Sequence, residues 1–339
     1  MSSSTPALSP RAKRSSRDVT SSWGLAWQRF KRHKVALGGG FVVFLFALLA
    51  VAAPWLSPYD YRDQNRQLRF SAPSLELSQQ LATEKCLVPR MAFWECGVHP
   101  FGTDQLGRDT LTRVFHGGRI SLLVGFFAAF LSTLLGSLLG AFAGYAGGKL
   151  DSVISRFVDI MLSLPQIPLL LILSALLSNR EVVLGQILDQ MLGGSKSIVI
   201  IITVIIAFSW MTAARLVRGE ILSLKQREFS DAARALGASH LRIVLRHLLP
   251  NAVAVIIVQF SLMMGEAILV ESGLSFLGLG IQEPAVSWGN MLSGAQGFLF
   301  RTNGVYQAIF PGLFIFLTVL CFNLLGDGLR DAMDPRNIR

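Results

Sequence analysis

Charge is scarce in this chain: only 15% of its 339 residues are Asp, Glu, Lys or Arg. Soluble domains carry about 25%, so an ordinary water-soluble globule is excluded. The chain also lacks a glycine-lysine-serine phosphate loop. Gly147, Gly148 and Lys149 come nearest, but Leu150 follows, and this chain is expected to bind no nucleotide. Cysteine is limited to Cys86, Cys96 and Cys321. No nearby His or Cys pair completes four zinc ligands, and no metal is expected. The net charge of +10 comes without a basic stripe interleaved with aromatics, which argues against nucleic acid. No small-residue cleavage site follows the first apolar run, so that run reads as a retained anchor.

What is present is apolar length. Hydrophobic residues make up 52% of the chain and the mean hydropathy is +0.50. Runs near the length needed to cross about 30 Å of hydrocarbon lie at 35–56, 120–143, 154–177, 198–214, 252–270 and 306–326. The predicted fold class is therefore an all-α integral membrane protein with six transmembrane helices. Of the 31 Lys and Arg, 20 fall on the face that holds both tails, and that face is cytoplasmic by the positive-inside bias. Residues 1–22 are Ser, Arg and Pro of low complexity and are expected to be disordered. Trp23, Trp27 and Phe30 then recur at helical spacing among basic residues. An interfacial amphipathic helix and a plain extension of the first span both fit.

The outer segment between the first two spans holds Cys86 and Cys96, which can pair in an oxidising compartment or stay free. A bond closing so short a loop is worth about 2–3 kcal/mol. In the same segment Gly102 and Gly107 permit tight turns, and Thr103 or Asp104 can cap a helix beginning near Gln105. Arg108 and Asp109 can pair with neighbours. The second span carries Gly136, Gly140 and Gly144, a repeat that lets two helix backbones approach closely.

Asp159, Glu266 and Glu271 fall inside apolar runs, where a carboxylate needs water, a partner or a cavity. Arg156 is three residues before Asp159, so an intrahelical pair and an inner gate are both open. Pro165 and Pro168 predict a kink in the third span that lines the pathway or only widens it. The run ESGLSFLGLGIQEPAVSWGNML, 271–292, mixes Gly and Pro too closely for one helix and is expected to fold back on the outer side. Near the end of the chain Asp327, Arg330, Asp331 and Asp334 offer ion pairs.

Between the fourth and fifth spans lies EFSDAARALGASHLRIVLRHLLP, 228–250. Asp231, Ala232, Ala233 and Leu236 are expected in a short helix, and Gly237 in a sharp turn followed by Ala238 and Ser239. His240 to Leu249 then form a second amphipathic helix that Pro250 stops. The segment resembles the cytoplasmic loop of ABC importer permeases, whose signature is Glu-Ala-Ala, three residues, Gly, nine residues, Ile, one residue, Leu-Pro. Asp231 replaces the usual Glu and His247 stands where Ile is common. HPFGTDQLGRDTLTRVFHGGRISLLVG before the second span, APWLSPYD after the first, the run after the fifth span and the terminal NLLGDGLRDAMDPR resemble the C-type permease subunits of dipeptide and oligopeptide importers.

That resemblance, over about 23–336, implies a type I ABC importer permease fold contributing half of a pore in a bacterial cytoplasmic membrane. It implies a second homologous permease subunit, two ABC ATPases docked on Asp231, Ala232, Ala233, Leu236, Gly237, Ala238 and Ser239, and an external solute-binding protein. ATP and magnesium would sit on the ATPases, with no cofactor and no catalytic residue in this chain. The implied cargo is a peptide, with nickel or another small solute as the alternative. An ion-coupled secondary transporter is the rival class, with Asp159 and Glu266 as coupling groups. Against it, the two halves show no matching Gly or Pro interruptions. The expected organisation is a tail at 1–22, an amphipathic helix, first span and start of the outer loop at 23–75, and an outer segment at 76–118. A five-helix unit at 119–327, with a docking loop at 215–250, precedes a tail at 328–339.

Overall fold

The computed structural model describes residues 22–74, 97–179, 182–301 and 303–333. Among them the fold is helical, with only two isolated backbone bridges outside the helices, Ser74 to His99 and Thr103 to Asp109. Helix α1, Ser22–Phe30, is separated by a turn from the first span α2, Lys34–Leu56, so it is not a continuation of that span. Phe30 packs with Ala36 and Ala332 while Trp27 is exposed. The imidazole Nδ1 of His33 caps α2 by accepting the N–H of Ala36 at 3.2 Å.

The second span, α3, runs from Thr110 to Ala146. It starts five residues later than the helix expected near Gln105. Asp104 does not cap a helix: its Oδ1 accepts the N–H groups of Leu106 and Arg108, at 2.8 and 2.9 Å, and closes a turn. Gly107 holds that turn at φ 76°. Asp109 is the cap, with Oδ2 accepting the N–H of Thr112 at 2.7 Å, and α3 ends where Gly147 takes φ 67°. The expected boundary at 118/119 therefore lies inside a helix.

The third span is broken rather than kinked. α4, Gly148–Ser163, and α5, Gln166–Ser178, meet at 91°. Leu164 is extended, as the residue before a proline prefers, and Pro165 precedes the first turn of α5. Pro168 does not contribute to the break. It sits in the first turn of α5, where no intrahelical N–H is required. With 13 residues, α5 is about 20 Å long and cannot cross the hydrocarbon alone.

α6, Val183–Leu192, leads into the fourth span α7, Lys196–Leu224, which extends ten residues beyond the apolar run. After α8, Glu228–Ala235, the chain turns at Gly237 and enters α9, His240–Phe276, a single rod of 37 residues. Pro250 does not stop it, contrary to expectation. Residues 243–248 form a π turn in which the N–H of Leu249 reaches back to the carbonyl of Val244. This wider turn takes up the proline, which lacks an N–H, and Asn251 Nδ2 donates to the His247 carbonyl at 2.6 Å. α10, Trp288–Ala295, and the last span α11, Tyr306–Met333, complete the described chain.

The glycine repeat marks a close crossing of α3 and α7. A Cβ at Gly136, Gly140 or Gly144 of α3 would lie 2.3, 2.3 or 2.9 Å from the carbonyl oxygens of Trp210, Ala214 and Arg218 on α7. Only glycine permits this approach. On the outer half, Val124, Leu170, Ile201, Ile205 and Ala267 bind α3, α5, α7 and α9 into one core. α5 and α6 are fastened to this frame on one side, and α2 with α11 on the other. Five helices are long and apolar enough to span a membrane, or six when the broken pair counts as one.

Candidate functional site

The loop between α7 and α9 has a buried base and an open tip. Val217, Ile221 and Leu224 of α7 pack with Ala233 of α8, with Ile243, Val244 and Leu248 of α9, and with Ala141 and Tyr145 of α3. Ser230 and Ala233 are the inward residues of α8, while Asp231, Ala232, Arg234 and Ala235 face outward. Leu236 is 88% exposed. Gly237 lies at φ 76° with nothing within 4 Å of the position a Cβ would take, so backbone conformation alone demands glycine there. The N–H of Ala238 closes onto the Ala233 carbonyl at 3.1 Å, satisfying the end of α8. Ser239 then caps α9 by accepting the N–H of Arg242 at 3.4 Å.

Tyr145 joins this loop to the end of α3. Its hydroxyl lies 2.9 Å from His240 Nδ1, and its carbonyl accepts Lys225 Nζ at 2.6 Å. The Lys225 and Arg234 cations lie 5.5 and 5.8 Å from the ring centroid. The exposed pair Asp231–Arg234, at 3.2 Å, adds little to stability. The outward face thus shows Leu236, Leu241 and Leu245 among charged groups on a buried apolar base.

Asp159 lies on α4, 63% exposed, and pairs with Arg215 of α7 instead of with Arg156 in its own helix. The break at Pro165 directs α4 across α7. There Asp151 also takes Arg218, with Nη2 to Oδ2 at 2.7 Å. Gly140, Val158, Asp159, Arg215 and Arg218 line a cleft of about 180 Å³ at this crossing. Pro165 and Pro168 are both exposed.

Glu266 and Glu271 share α9 but not a face. Glu266 is exposed in a stripe with Leu269 and Phe276. Glu271 is fully buried and accepts hydrogen bonds from Ser275 at 2.8 Å, Ser121 at 3.1 Å and Ser272 at 3.4 Å. Five residues turn a helix through about 140°, which separates the two carboxylates.

On the outer side Arg108 and Arg113, both nearly buried, converge on two carboxylates. Arg108 donates to Asp104 at 2.6 Å and to Glu283 at 2.8 Å, and Arg113 donates to Glu283 at 3.3 Å. Burial pushes the Glu283 carboxyl up, but the Arg108 hydrogen bond and charge, reinforced by Arg113, hold it below the usual carboxylate value. Asp109 meets His99 at 2.8 Å. The pairing expected of Arg108 and Asp109 is therefore present, whereas Arg113, Glu283, Tyr145 and His240 carried no flag in the sequence.

Cys86 and Cys96 lie outside the described residues, as does Asp334, and Cys321 is a free buried thiol on α11. Among the described residues no group of three or more His, Cys, Asp or Glu is placed to hold a metal.

Residues 136–339 match the family described as binding-protein-dependent transport system inner membrane component, and residues 21–73 match the N-terminal TM domain of oligopeptide transport permease C. The oligopeptide transport system permease protein of Escherichia coli K12 is 40% identical over 315 residues, 93% of this chain and 91% of that protein. The dipeptide transport system permease protein of Bacillus subtilis is 37% identical over 311 residues, 92% of this chain and 85% of its own length. A glutathione transport system permease protein of Escherichia coli strain 536 is 40% identical over 321 residues, covering 94% and 92%. With its membrane helices, its Gly237 turn and these matches along nearly its whole length, the chain belongs to the inner-membrane permeases of binding-protein-dependent ABC importers, on the oligopeptide permease C branch.

Proposed function

We propose that this permease forms half of an ATP-driven pathway that imports peptides across the bacterial cytoplasmic membrane, with both termini inside. The observation that carries this reading is the loop at 228–239, whose base is built into α3, α7 and α9 and whose tip presents Leu236 and Gly237 to the outside. Two ABC ATPases would grip that tip here and on a second homologous permease, and a solute-binding protein would deliver cargo to the outer face. Hydrolysis belongs to the ATPases, which hold ATP and magnesium. Closure of the ATPase pair would draw the two loops together, and each rigid base would transmit the displacement to the spans and exchange inward for outward access. Glu266 then faces the water-filled route, because a carboxylate left in lipid is costly. The exposed break at Pro165, with Pro168 in the turn that follows, lies beside the inner mouth, where the Asp159–Arg215 pair spans α4 and α7. The anchor at 23–75 and the outer segment that follows it precede a translocating unit that takes in the whole of α3 from Thr110.

A peptide cargo is favoured because the similar permeases named above belong to systems for oligopeptides, dipeptides and glutathione, all amide-linked amino acids. The test is uptake by the full complex in proteoliposomes. Labelled peptide should accumulate only with internal ATP and external binding protein, and nickel should not compete. Accumulation driven by an ion gradient without ATP would overturn the reading.

A further inference from the structure

Residues 277–287 fold back between α9 and α10, and three of the backbone N–H groups in and just after this segment end on serine hydroxyls. Ile281 N–H donates to Ser275 Oγ at 3.0 Å, Trp288 N–H to Ser121 Oγ at 3.2 Å, and Asn290 N–H to Ser287 Oγ at 3.2 Å. A backbone N–H can only donate, so each of these oxygens is an acceptor and its single proton is free to point elsewhere. Two of them point to one group. Ser275 donates to Glu271 Oε1 at 2.8 Å and Ser121 to Oε2 at 3.1 Å. Ser272 adds a third hydroxyl at 3.4 Å. Both carboxyl oxygens can accept, which suits these three donors. An amide at this position would replace one acceptor with a donor.

The seat around these relays is tight. A Cβ at Gly118 would lie 2.9 Å from the Trp288 ring, and one at Gly289 would lie 2.6 Å from Ser272 Cα. Trp288 Nε1 donates to the Val114 carbonyl at 2.9 Å. Glu271 also lies near the far end of α9, the rod that begins at the cytoplasmic loop with His240.

We propose that Glu271 is a positioning residue: as the common acceptor of two serine relays, it locks the outer fold-back segment to α3 and α9, so that α9 carries movement from the cytoplasmic loop to the outer closure. The transport part of this proposal rests on the importer reading; the lock itself does not.

The experiment uses the full complex with Val286→Cys, a residue 2% exposed in the fold-back segment. A membrane-impermeant maleimide is added, and mass spectrometry reads modification at position 286 alone. In the Glu271→Gln and Glu271→Leu backgrounds, labelling should rise about tenfold, the order by which a buried donor left unmade shifts a local opening equilibrium. ATP hydrolysis stimulated by binding protein should persist while peptide uptake falls by a similar factor. Ser275→Ala should give a smaller rise that does not add to that of Glu271→Gln, because the two act as one unit. Should Glu271→Gln fail to insert, Ser121→Ala and Ser275→Ala each remove one relay and carry the same comparison. Labelling at native rates in every inserted variant would overturn the proposal. Absence of peptide uptake in the native complex would count against the importer reading instead, leaving the labelling result intact.

Discussion

The two ends of this permease are organised in opposite ways. At the loop between α7 and α9 polar groups are exposed: Asp231 and Arg234 pair in solvent, and Leu236 stands clear of the fold. At the outer end they are enclosed, with Arg108, Arg113 and Glu271 at 5% exposure or less and bonded within the chain. The first leaves Leu236 uncovered, whereas the second bonds Arg108, Arg113 and Glu271 to neighbours in the same chain. Equal substitutions should therefore have unequal effects at the two ends.

The largest loss of stability is expected outside. Arg108→Ala removes the buried cation that bonds both Asp104 and Glu283 and leaves the buried Asp104 only the more distant Arg113, which costs about 3–5 kcal/mol. Thermal unfolding of the purified complex should reveal it. Gly237→Trp should leave insertion unchanged, because space is open around Gly237, and lower stability only by the about 1–2 kcal/mol of backbone strain placed on the turn. Uptake should fall at least tenfold, measured as transport per ATP hydrolysed. Native transport by this variant at normal expression would remove the distinction between the ends.

Acid should separate the two ends next. Because the Glu283 carboxyl is depressed in the fold, its stabilisation is present above the ordinary carboxyl value and is lost as pH falls through the lower folded value. The fall in unfolding temperature of the complex over that acidic window should be smaller in Glu283→Gln than in the native protein. Tyr145→Phe removes the contact to His240 but keeps the ring beneath Lys225 and Arg234, and should cost about 1 kcal/mol. Asp231→Ala, which breaks an exposed pair, should cost under about 1 kcal/mol, detectable only as a small shift in unfolding temperature.

Much of this plan is legible in the sequence because apolar length and glycine spacing act locally. The spans, the Gly136–Gly140–Gly144 crossing and the turn at Gly237 follow from residue type and position alone. The π turn before Pro250 and the break at Pro165 are harder, since a proline announces a disturbance without saying whether the chain stops, widens or turns. Asp104 shows the same limit: a carboxylate can cap a helix or close a turn, and Asp109 five residues on takes the helix. Glu266 and Glu271 differ by about 140° around α9, a difference the sequence contains. What it does not contain is which face meets Ser121, because that contact joins residues 150 positions apart.

The central claim is that the cytoplasmic loop is the ATPase contact, and a cross-link tests it most directly. With Leu236→Cys in the full complex, a short thiol cross-linker should join this chain to an ATPase subunit, and ATP should change the yield. Failure to capture an ATPase from position 236, with efficient capture from a cysteine elsewhere on the cytoplasmic face, would contradict the account.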